Sequence, residues 1–333
     1  MTDGDPLKVF VSEFICGGAW PEPEIETSLA REGSAMLKAA VEDFARIENC
    51  QVFTTCDVRL GQHSLISNAH KNLHISTCES SSHELQLFRR FAKECDATFV
   101  IAPEFDGLLA DRRRIVDEVG GRFLGPTLDA IELCGDKLKL AEFLIRHDIR
   151  TIPTQAFGRR EENSSDGDFV IKPRFGAGSQ FTFQLSQVVD LSLLKSCPME
   201  LIQQPYINGE SISVAVIGSD ISTTRLPMVE QRLSNDGRFH YLGSVIPSAS
   251  PSNSELQRVV QSIAENVSGL SGYWGVDLIR TDDDKFVVVE INPRLTSSYL
   301  AYRQQARFNV ASLLLGMPTD VAWIDQSVRY FVD

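Results

Sequence analysis

Two neighbouring segments near the end of the chain contain the residues best suited to chemistry. Asp277 lies within the apolar run 273–279. Glu290 lies within the run 285–291, and Asn292 follows it. Residues two apart on a β-strand share one face of a sheet, and a carboxylate buried among valines is costly without a cation. Oxygen ligands of this kind suit Mg²⁺, which commonly bridges nucleotide phosphates. The pattern therefore predicts a magnesium site, although a solvated edge strand could carry the same residues.

The two runs are separated by residues 281–284, whose Thr-Asp-Asp-Asp composition is typical of a turn. An antiparallel hairpin across this turn would bring Asp277 beside Glu290. Arg294 follows Pro293, whose fixed φ directs the guanidinium toward the strand end where phosphates would meet the metal. The sequence therefore predicts that oxygen donors and one arginine converge at one end of this hairpin.

A third segment combines a lysine with a glycine-bearing loop. Lys172 ends the strand-like run 169–172, and four small residues follow shortly after it: Gly176, Ala177, Gly178 and Ser179. Free backbone N–H groups in such a loop can cradle phosphate. The segment matches neither the Gly-Lys-Ser/Thr phosphate loop nor the dinucleotide-binding Gly-x-Gly-x-x-Gly pattern. A lysine beside an ordinary hairpin turn is the alternative interpretation.

The elements that must position these residues alternate between strand-like and helix-like segments, which is typical of α/β layers. Residues 7–15 have the pattern of a buried strand that ends at Gly17 and Gly18. Residues 28–44 have helical periodicity, and 97–102 form another apolar run. A parallel sheet covered by helices is expected, with ligands at the carboxyl ends of its strands. The glycine pair is either a ligand loop there or a simple turn.

We expect three lobes along the chain. Gly125-Pro126 marks a plausible first boundary, which gives an N-terminal lobe of residues 1–125. A central lobe of residues 126–205 contains the glycine-bearing loop, and a C-terminal lobe of residues 206–333 contains the predicted metal site. Residues 128–147 carry apolar side chains at helical spacing, and the central lobe starts there.

Composition narrows the classes of function. The chain has 333 residues, 43% of them hydrophobic, and a formal net charge of −13. This charge disfavours a nucleic-acid groove or an anionic membrane surface, because binding a phosphate backbone needs a concentrated positive patch. The seven cysteines contain no Cys-x-x-Cys pair, the start is acidic, and no apolar run is long enough to cross a bilayer. A cytoplasmic enzyme of small-molecule chemistry, with reduced cysteines, is expected.

The order of these features resembles the ATP-grasp superfamily over residues 126–316. The elements are, in order, Lys137, Lys172 with its loop, the segment 203–207, Asp277 and the Glu-x-Asn-x-Arg pattern of 290–294. The resemblance implies an α/β ATP-grasp fold, with an N-terminal Rossmann-like lobe and two α+β lobes that clasp ATP. It also implies Mg²⁺, or Mn²⁺ in its place, on Asp277, Glu290 and Asn292.

The same resemblance implies an ATP site in which the lysines hold the phosphates, the glycine loop covers them and the segment 203–207 forms the hinge against adenine. The residues implied to contact ATP are Lys137, Lys172, Gly176, Ala177, Gly178, Ser179, Gln203, Gln204, Tyr206, Ile207 and Glu210. Many relatives place a glutamate in the hinge, where this chain has two glutamines. Glu210 is expected to contact the ribose instead, although an exposed glutamate at the start of a strand is an equally good interpretation. Lys172 and Arg294 are the implied catalytic residues, with Arg294 stabilising the transferring phosphoryl group.

Within the superfamily, several short segments resemble the ligases that join tyramine to glutamate in the biosynthesis of furan cofactors. They are residues 11–18, 31–37, 102–107, 133–137 and 204–207. This resemblance implies that the γ-carboxylate of glutamate is activated as an acyl phosphate, which an amine such as tyramine or tyrosine then attacks. The implied partners are a small carboxylate and an amine, with no nucleic acid and no membrane, and a homodimer is the candidate assembly.

The substrate contacts are less clearly marked in the sequence. Glu13, at the end of the first strand, could receive the ammonium of the amine, or it could be a surface carboxylate. A guanidinium fork matches a substrate carboxylate, and Gly17 and Gly18 could form a substrate loop. The arginines that could serve are Arg225, Arg232, Arg303 and Arg307. Two other functions remain open: an ATP-binding sensor of the same fold, and a kinase that releases the acyl phosphate.

Overall fold

The computed structural model describes residues 5–331 except 22, 26, 61–69, 159–167, 177, 188–193, 195–196, 219–222 and 249–252. Within this part of the chain, three sheets form the framework of the molecule. Their strands lie in residues 7–101, 155–205 and 210–331, in that order. The predicted lobe boundaries after residues 125 and 205 are compatible with this succession and stay a prediction.

The first sheet is parallel, as the sequence predicted, and it contains four strands. They are β1 (Leu7–Glu13), β2 (Cys50–Asp57), β3 (Leu73–Cys78) and β4 (Ala97–Ile101), in the spatial order β3-β2-β1-β4. The accompanying helices are α1 (Thr27–Ala45), α2 (Ser81–Glu94) and α3 (Leu108–Glu118), and single-turn helices occupy Ile15–Ala19, Val58–Leu60 and Phe105–Gly107. The central strand β1 is apolar because strands of a parallel sheet are covered on both faces. Its carboxyl end places Glu13 at the edge where such sheets bind ligands.

The second sheet is small and antiparallel. It consists of β5 (Gln155–Ala156), β6 (Phe169–Pro173), β7 (Phe183–Gln184) and β8 (Leu201–Pro205), in the order β5-β8-β6-β7, and a single-turn helix occupies Leu185–Gln187. Ile171, Phe183 and Leu194 form its own core. Strand β6 ends just after Lys172, so this sheet presents the lysine and the glycine-bearing loop together.

The third sheet is the largest and carries the predicted hairpin. Its strands are β9 (Glu210–Gly218), β10 (Thr223–Arg225), β11 (Val229–Leu233), β12 (Tyr241–Ile246), β13 (Gly272–Arg280), β14 (Phe286–Asn292) and β15 (Val328–Phe331). The spatial order is β14-β13-β9-β11-β12-β15, with β10 paired to β9. Successive residues of β13 point to opposite faces. Tyr273 joins the core shared with the first sheet, whereas Trp274 joins a second core on the other face.

Helices surround the large sheet on both faces. They are α4 (Leu128–Gly135), α5 (Lys137–Arg146), α6 (Ser254–Asn266), α7 (Tyr299–Gln305) and α8 (Val310–Leu314). Leu140 and Leu144 of α5 pack in the same core as Trp274, so α5 lies against the large sheet. Tyr299 of α7 and Val310 of α8 belong to the core that the first lobe shares with the large sheet, and both helices contact α1.

The helical spacing over 128–147 belongs to two helices, because the chain breaks at Asp136. This residue has non-helical φ and ψ of −101° and 95°, and its side chain caps α5 by accepting a hydrogen bond from the backbone N–H of Lys139 at 3.2 Å. The apolar periodicity continues across the break, so it hides the cap. Aspartate is a preferred N-cap residue because its carboxylate satisfies a free N–H of the first turn.

The remaining structural expectations concern cysteines and membrane spans. All seven cysteines are free thiols, and six of them are buried. No helix among the residues that the structure describes combines the length and the apolar composition needed to cross a membrane.

Candidate active site

A cavity of about 650 Å³ lies where the three sheets approach one another. It brings together most of the residues that the sequence singled out. Those that line it are Glu13, Lys137, Lys172, Gly176, Gly178, Ser179, Gln204, Tyr206, Ile207, Asp277, Glu290, Asn292 and Arg294. Residues more than 270 positions apart in the sequence therefore share one enclosed space.

The hairpin of β13 and β14 positions the predicted metal ligands. Asp277 is the direct antiparallel partner of Glu290, and a register shift follows immediately after Asp277. Asn292 donates from Nδ2 to Asp277 Oδ2 at 3.0 Å, and Gln231 donates from Nε2 to Asp277 Oδ1 at 3.1 Å. The two carboxylates and the amide of Asn292 thus face the cavity as one group of oxygen-bearing side chains.

The electrostatics of the two carboxylates fit a bound cation. Burial and repulsion from Glu290 raise the pKa of Asp277 above its ordinary range. Burial also opposes ionisation of Glu290, but the attraction of Lys137, Lys172 and Arg294 outweighs it and lowers the pKa of Glu290. Within the described part of the chain, no third His, Cys, Asp or Glu side chain joins this pair as a metal ligand. A divalent ion held here would keep coordination positions for water and phosphate oxygens, as Mg²⁺ prefers.

Two lysines face the same carboxylates. The Lys172 residue is 7% exposed, and burial lowers its pKa to about 8 against the attraction of Glu290. Lys137 Nζ lies 3.5 Å from Glu290 Oε2 and donates to the carbonyl of Gly176 at 2.6 Å. Ammonium groups placed this way can contact the phosphates of a nucleotide whose metal is held by the carboxylates.

An ion pair that the sequence analysis missed positions both lysines. Arg174 donates from Nε to Asp136 Oδ1 at 2.8 Å and from Nη2 to Asp136 Oδ2 at 2.7 Å. The backbone N–H of Lys137 also donates to the Arg174 carbonyl at 3.2 Å. The start of α5 is therefore attached to the segment that follows Lys172. The only sequence signal was that Asp136 directly precedes Lys137, whereas Arg174, which has the opposite charge to Asp136, follows Lys172 two residues later.

Arg294 lies in the cavity, where the proline turn predicted it. Its Nε is 3.0 Å from Glu104 Oε1, and Nη1 donates to the Leu295 carbonyl at 3.1 Å. Glu104 lies shortly after β4 in the first lobe, at the carboxyl end of a strand of the parallel sheet, where the sequence predicted ligands. Glu104 of the first lobe therefore orients Arg294, which faces the hairpin of β13 and β14. Sequence spacing alone does not reveal this contact.

The glycine-bearing loop is attached to the turn between β11 and β12. Ser179 Oγ donates to the Phe239 carbonyl at 2.8 Å, and the N–H of Gln184 donates to the Gly237 carbonyl at 2.7 Å. Gly178 has a φ of +67° and no neighbouring atom within 4 Å of the position a Cβ would take. The Gly178 end of the loop therefore has open space, whereas Ser179 is anchored to the large sheet. Ala177, predicted to belong to this loop, lies outside the described residues.

Only part of the predicted adenine hinge lines the cavity, because successive side chains of β8 point to opposite faces of the sheet. Gln204 lines the cavity and donates to Thr154 Oγ1 at 2.8 Å, whereas Gln203 is not among the residues that line it. Tyr206 and Ile207 follow on the cavity side. Glu210 does not line this cavity either: it borders a neighbouring one of about 400 Å³ and pairs with Arg280 at 2.8 Å. Its assignment to the ribose stays a prediction.

Close packing leaves no room for side chains on the two glycines that follow β1. A Cβ on Gly17 would lie 2.9 Å from Thr55 Oγ1, and a Cβ on Gly18, whose φ is +101°, would lie 2.6 Å from Cys78 Cβ. Neither glycine lines the main cavity. Glu13 does line it, accepts a hydrogen bond from the Cys16 N–H at 2.5 Å, and has its pKa raised to about 7 by burial.

The arginines predicted to hold a substrate carboxylate lie elsewhere. Arg303 donates to Asp43 at 2.7 Å and to Glu42 at 3.0 Å. Arg232 is 3.5 Å from Glu230 and borders the smaller cavity. Arg225 lies on β10, and neither it nor Arg307 lines the main cavity. Their assignment as substrate residues stays a prediction without support from this geometry.

Comparison with known proteins agrees with this arrangement. An ATP-grasp domain family matches residues 134–298, and a pre ATP-grasp 3 domain family matches residues 50–131. The chain is 25% identical over 295 residues to a tyramine–L-glutamate ligase of Methanocaldococcus fervens, an alignment that covers 87% of this chain and 88% of that protein.

Solved structures share the fold over nearly the whole chain. An ATP-grasp superfamily protein from Archaeoglobus fulgidus has a TM-score of 0.69 and 26% identity, with 98% of this chain and 99% of that chain covered. N5-carboxyaminoimidazole synthetase from Staphylococcus aureus, complexed with ADP, has a TM-score of 0.67 and 15% identity, with coverages of 96% and 80%. The relatives that the chain matches support the predicted class of enzyme, an ATP-dependent C–N ligase. The predicted fold is confirmed, and the chain belongs to the ATP-grasp superfamily.

Proposed function

We propose that this ligase activates the γ-carboxylate of glutamate with ATP and joins it to tyramine or a closely related aromatic amine. The observation that carries the proposal is the shared cavity, where Lys172, the Asp277–Glu290 pair and Arg294 face a wall of the first lobe that contains Glu13. The relatives named tyramine–L-glutamate ligase support the choice of substrates.

The nucleotide phosphates would lie between the second and third sheets. Lys137 and Lys172 would contact them from one side, and the backbone of the loop at Gly176 and Gly178 would cover them. Asp277, Glu290 and Asn292 would hold the divalent cation. When bound, Mg²⁺ neutralises charge on phosphate oxygens and orients them for transfer.

In the first step, an oxygen of the substrate carboxylate attacks the γ-phosphorus of ATP. The bond from that phosphorus to the β–γ bridging oxygen breaks, and ADP leaves with the electron pair. Phosphoryl transfer depends mainly on alignment and charge neutralisation by the protein. Lys172 and Arg294 supply positive charge, and Glu104 fixes the direction of the Arg294 guanidinium. No covalent bond to the protein is needed.

In the second step, the neutral amine nitrogen attacks the carbonyl carbon of the acyl phosphate. The bond from that carbon to the phosphate oxygen breaks, the nitrogen gives up a proton, and inorganic phosphate leaves carrying that proton, which gives the amide. The negative charge that develops on the carbonyl oxygen needs a positioned cation or donor. Arg294 is the side chain in the cavity that is best placed to supply it, because its Nε is held at the boundary of the first lobe.

The test is to incubate the purified protein with Mg²⁺, ATP, glutamate and tyramine, and in parallel with tyrosine. ADP is measured by a coupled assay and the condensation product by mass spectrometry. Hydroxylamine in place of the amine traps the acyl phosphate as a hydroxamate. Amide and ADP in equal amounts support the proposal. Product with a different acid and not with glutamate would contradict the proposed acid substrate while leaving the ligase class intact.

A further inference from the structure

The part of the cavity against the first lobe differs in chemistry from the part that faces the metal hairpin. It contains two carboxylates, Glu13 from the end of β1 and Glu32 from α1. The other side chains of this wall are apolar: Ile15, Leu29, Met36, Ile101, Pro103 and Phe105. A negatively charged end and an apolar body are the two features of a pocket for a cation on a hydrophobic frame.

Glu13 is buried without a cationic partner. The residue is 2% exposed, and no lysine or arginine of the described residues forms an ion pair with it. Its pKa is raised to about 7 by burial, to which the charge of Glu32 adds. A carboxylate in this state is stabilised by an arriving positive charge, because a buried charge is costly unless it is paired.

The neighbouring residue Gly33 lets the Glu13 carboxylate occupy this position. A Cβ at residue 33 would lie 2.9 Å from Cδ, Oε1 and Oε2 of Glu13. The absence of a side chain at residue 33 therefore allows the carboxylate to approach the backbone of α1. On the other side, the hydroxyl of Ser297 from the third lobe donates to Glu32 Oε1. Both carboxylates are thus held in fixed positions by groups that surround the cavity.

We propose that Glu13 and Glu32 form the amine subsite, and that this subsite selects primary amines with an aromatic or apolar body and no carboxylate. This inference rests on the proposed function and specifies its nucleophile. The ammonium would lie between the two carboxylates and the ring would pack on the apolar wall. An amino acid would bring a carboxylate into the same space, where Glu13 and Glu32 repel it. Tyramine therefore fits, and tyrosine does not.

Two assays separate this subsite from the rest of the reaction. Formation of glutamyl hydroxamate reports on ATP, metal and glutamate, because hydroxylamine is small and has no ring to bind. Amide formation with tyramine reports on the amine subsite as well. We expect wild-type kcat/KM to be about ten- to a hundredfold higher for tyramine than for tyrosine, which is the worth of one interaction with a charged group. Tyrosine methyl ester, which lacks the negative charge, should recover most of that loss.

The variants are Glu13→Gln and Glu32→Gln, which remove charge and keep volume. Each should raise the KM for tyramine about tenfold or more and leave the KM for glutamate in the hydroxamate assay unchanged. Glu118→Gln is the matched control, because Glu118 is an exposed acid of the same lobe that pairs with Arg89. Thermal melting of each variant checks that the fold is retained, and Glu32→Gln serves alone if Glu13→Gln does not fold.

Two results would overturn the inference. One is equal kcat/KM for tyramine and tyrosine. The other is a raised KM for glutamate, with an unchanged KM for tyramine, in the Glu13 and Glu32 variants, which would assign the pocket to the ammonium of glutamate. Absence of any hydroxamate from glutamate in the wild-type protein would instead contradict the proposed function, so the two failures are distinguishable.

Discussion

The ion pair between Asp136 and Arg174 allows a prediction whose size follows from its geometry. The Asp136 side chain is 3% exposed and that of Arg174 is 23% exposed. Replacing Arg174 with methionine removes both hydrogen bonds to Asp136 and the exposed hydrogen bond to Glu200. It leaves the Asp136 carboxylate buried, with Lys139 Nζ at 3.7 Å as its remaining cation. Breaking a fully buried pair costs about 3–5 kcal/mol, and an exposed pair contributes about 1 kcal/mol or less. For this intermediate case we expect a loss of about 2 kcal/mol in the free energy of unfolding.

The pH dependence of this loss has a definite sign. Burial opposes ionisation of Asp136, but Arg174 and the Lys139 N–H outweigh it and hold its pKa below the ordinary value of 3.8. A carboxylate whose pKa is lowered by folding stabilises the protein above its unfolded pKa, and that contribution is lost as the pH falls through the folded pKa. The penalty of Arg174→Met should therefore be complete at neutral pH and shrink as the pH falls below about 4.

Thermal melting and ATP kinetics measure the two consequences. The entropy of unfolding is about 2.1 cal/mol/K per residue, so 1 kcal/mol corresponds to about 1.4 °C in a chain of 333 residues, and Arg174→Met should lower Tm by about 3 °C. The KM for ATP should rise because Lys137 and Lys172 lose their common attachment. Arg114→Met is the control, since Arg114 pairs with exposed Asp111 and Glu132 and should cost less than 1 kcal/mol. A wild-type Tm together with a wild-type KM in Arg174→Met would refute the reasoning.

Three further predictions concern the nucleotide and metal groups. Asp277→Asn and Glu290→Gln should each abolish ADP release, and both variant proteins should melt near the wild-type temperature. The control Asp283→Asn, on the exposed turn of the same hairpin, should keep activity. Retained turnover in both site variants would exclude the metal assignment. Lys172→Ala should raise the Kd for ATP about ten- to a hundredfold by calorimetry, because a buried contact from a charged donor is lost; an unchanged Kd would remove its phosphate role. Amide hydrogen exchange in residues 178–184 should slow when a non-hydrolysable ATP analogue binds, because the loop closes over the nucleotide. Equal exchange with and without the analogue would argue against ordering of this segment.

The hairpin of β13 and β14 could be predicted from sequence because all the information it needs is local. Two apolar runs define the strands, the acidic turn fixes their connection, and the pairing of Asp277 with Glu290 follows from the length of that turn. The parallel first sheet was predictable for a similar reason, since each strand and helix has its own periodicity. For this hairpin and for the parallel pairing of the first sheet, the prediction and the structure agree.

Contacts between distant segments were not predictable in this way. Nothing in the spacing of Glu104 and Arg294 indicates that they meet, and the break at Asp136 was hidden by apolar periodicity that continues across it. The arginines show a different consequence of reading charge from sequence. Their charge made Arg303 a candidate for a substrate carboxylate, but Asp43 and Glu42 already neutralise it. A single sequence does not reveal which charged residues are already paired within the fold.

The most direct measurement is the amount of ADP and the amount of amide formed in the same reaction with Mg²⁺, ATP, glutamate and tyramine. A ligase that uses an acyl phosphate should give the two products in equal amounts, and omitting either glutamate or tyramine should abolish the amide. Steady ADP formation with no amide from any acid and amine pair would contradict the ligase and favour a kinase. Binding of ATP without any ADP formation would favour a sensor.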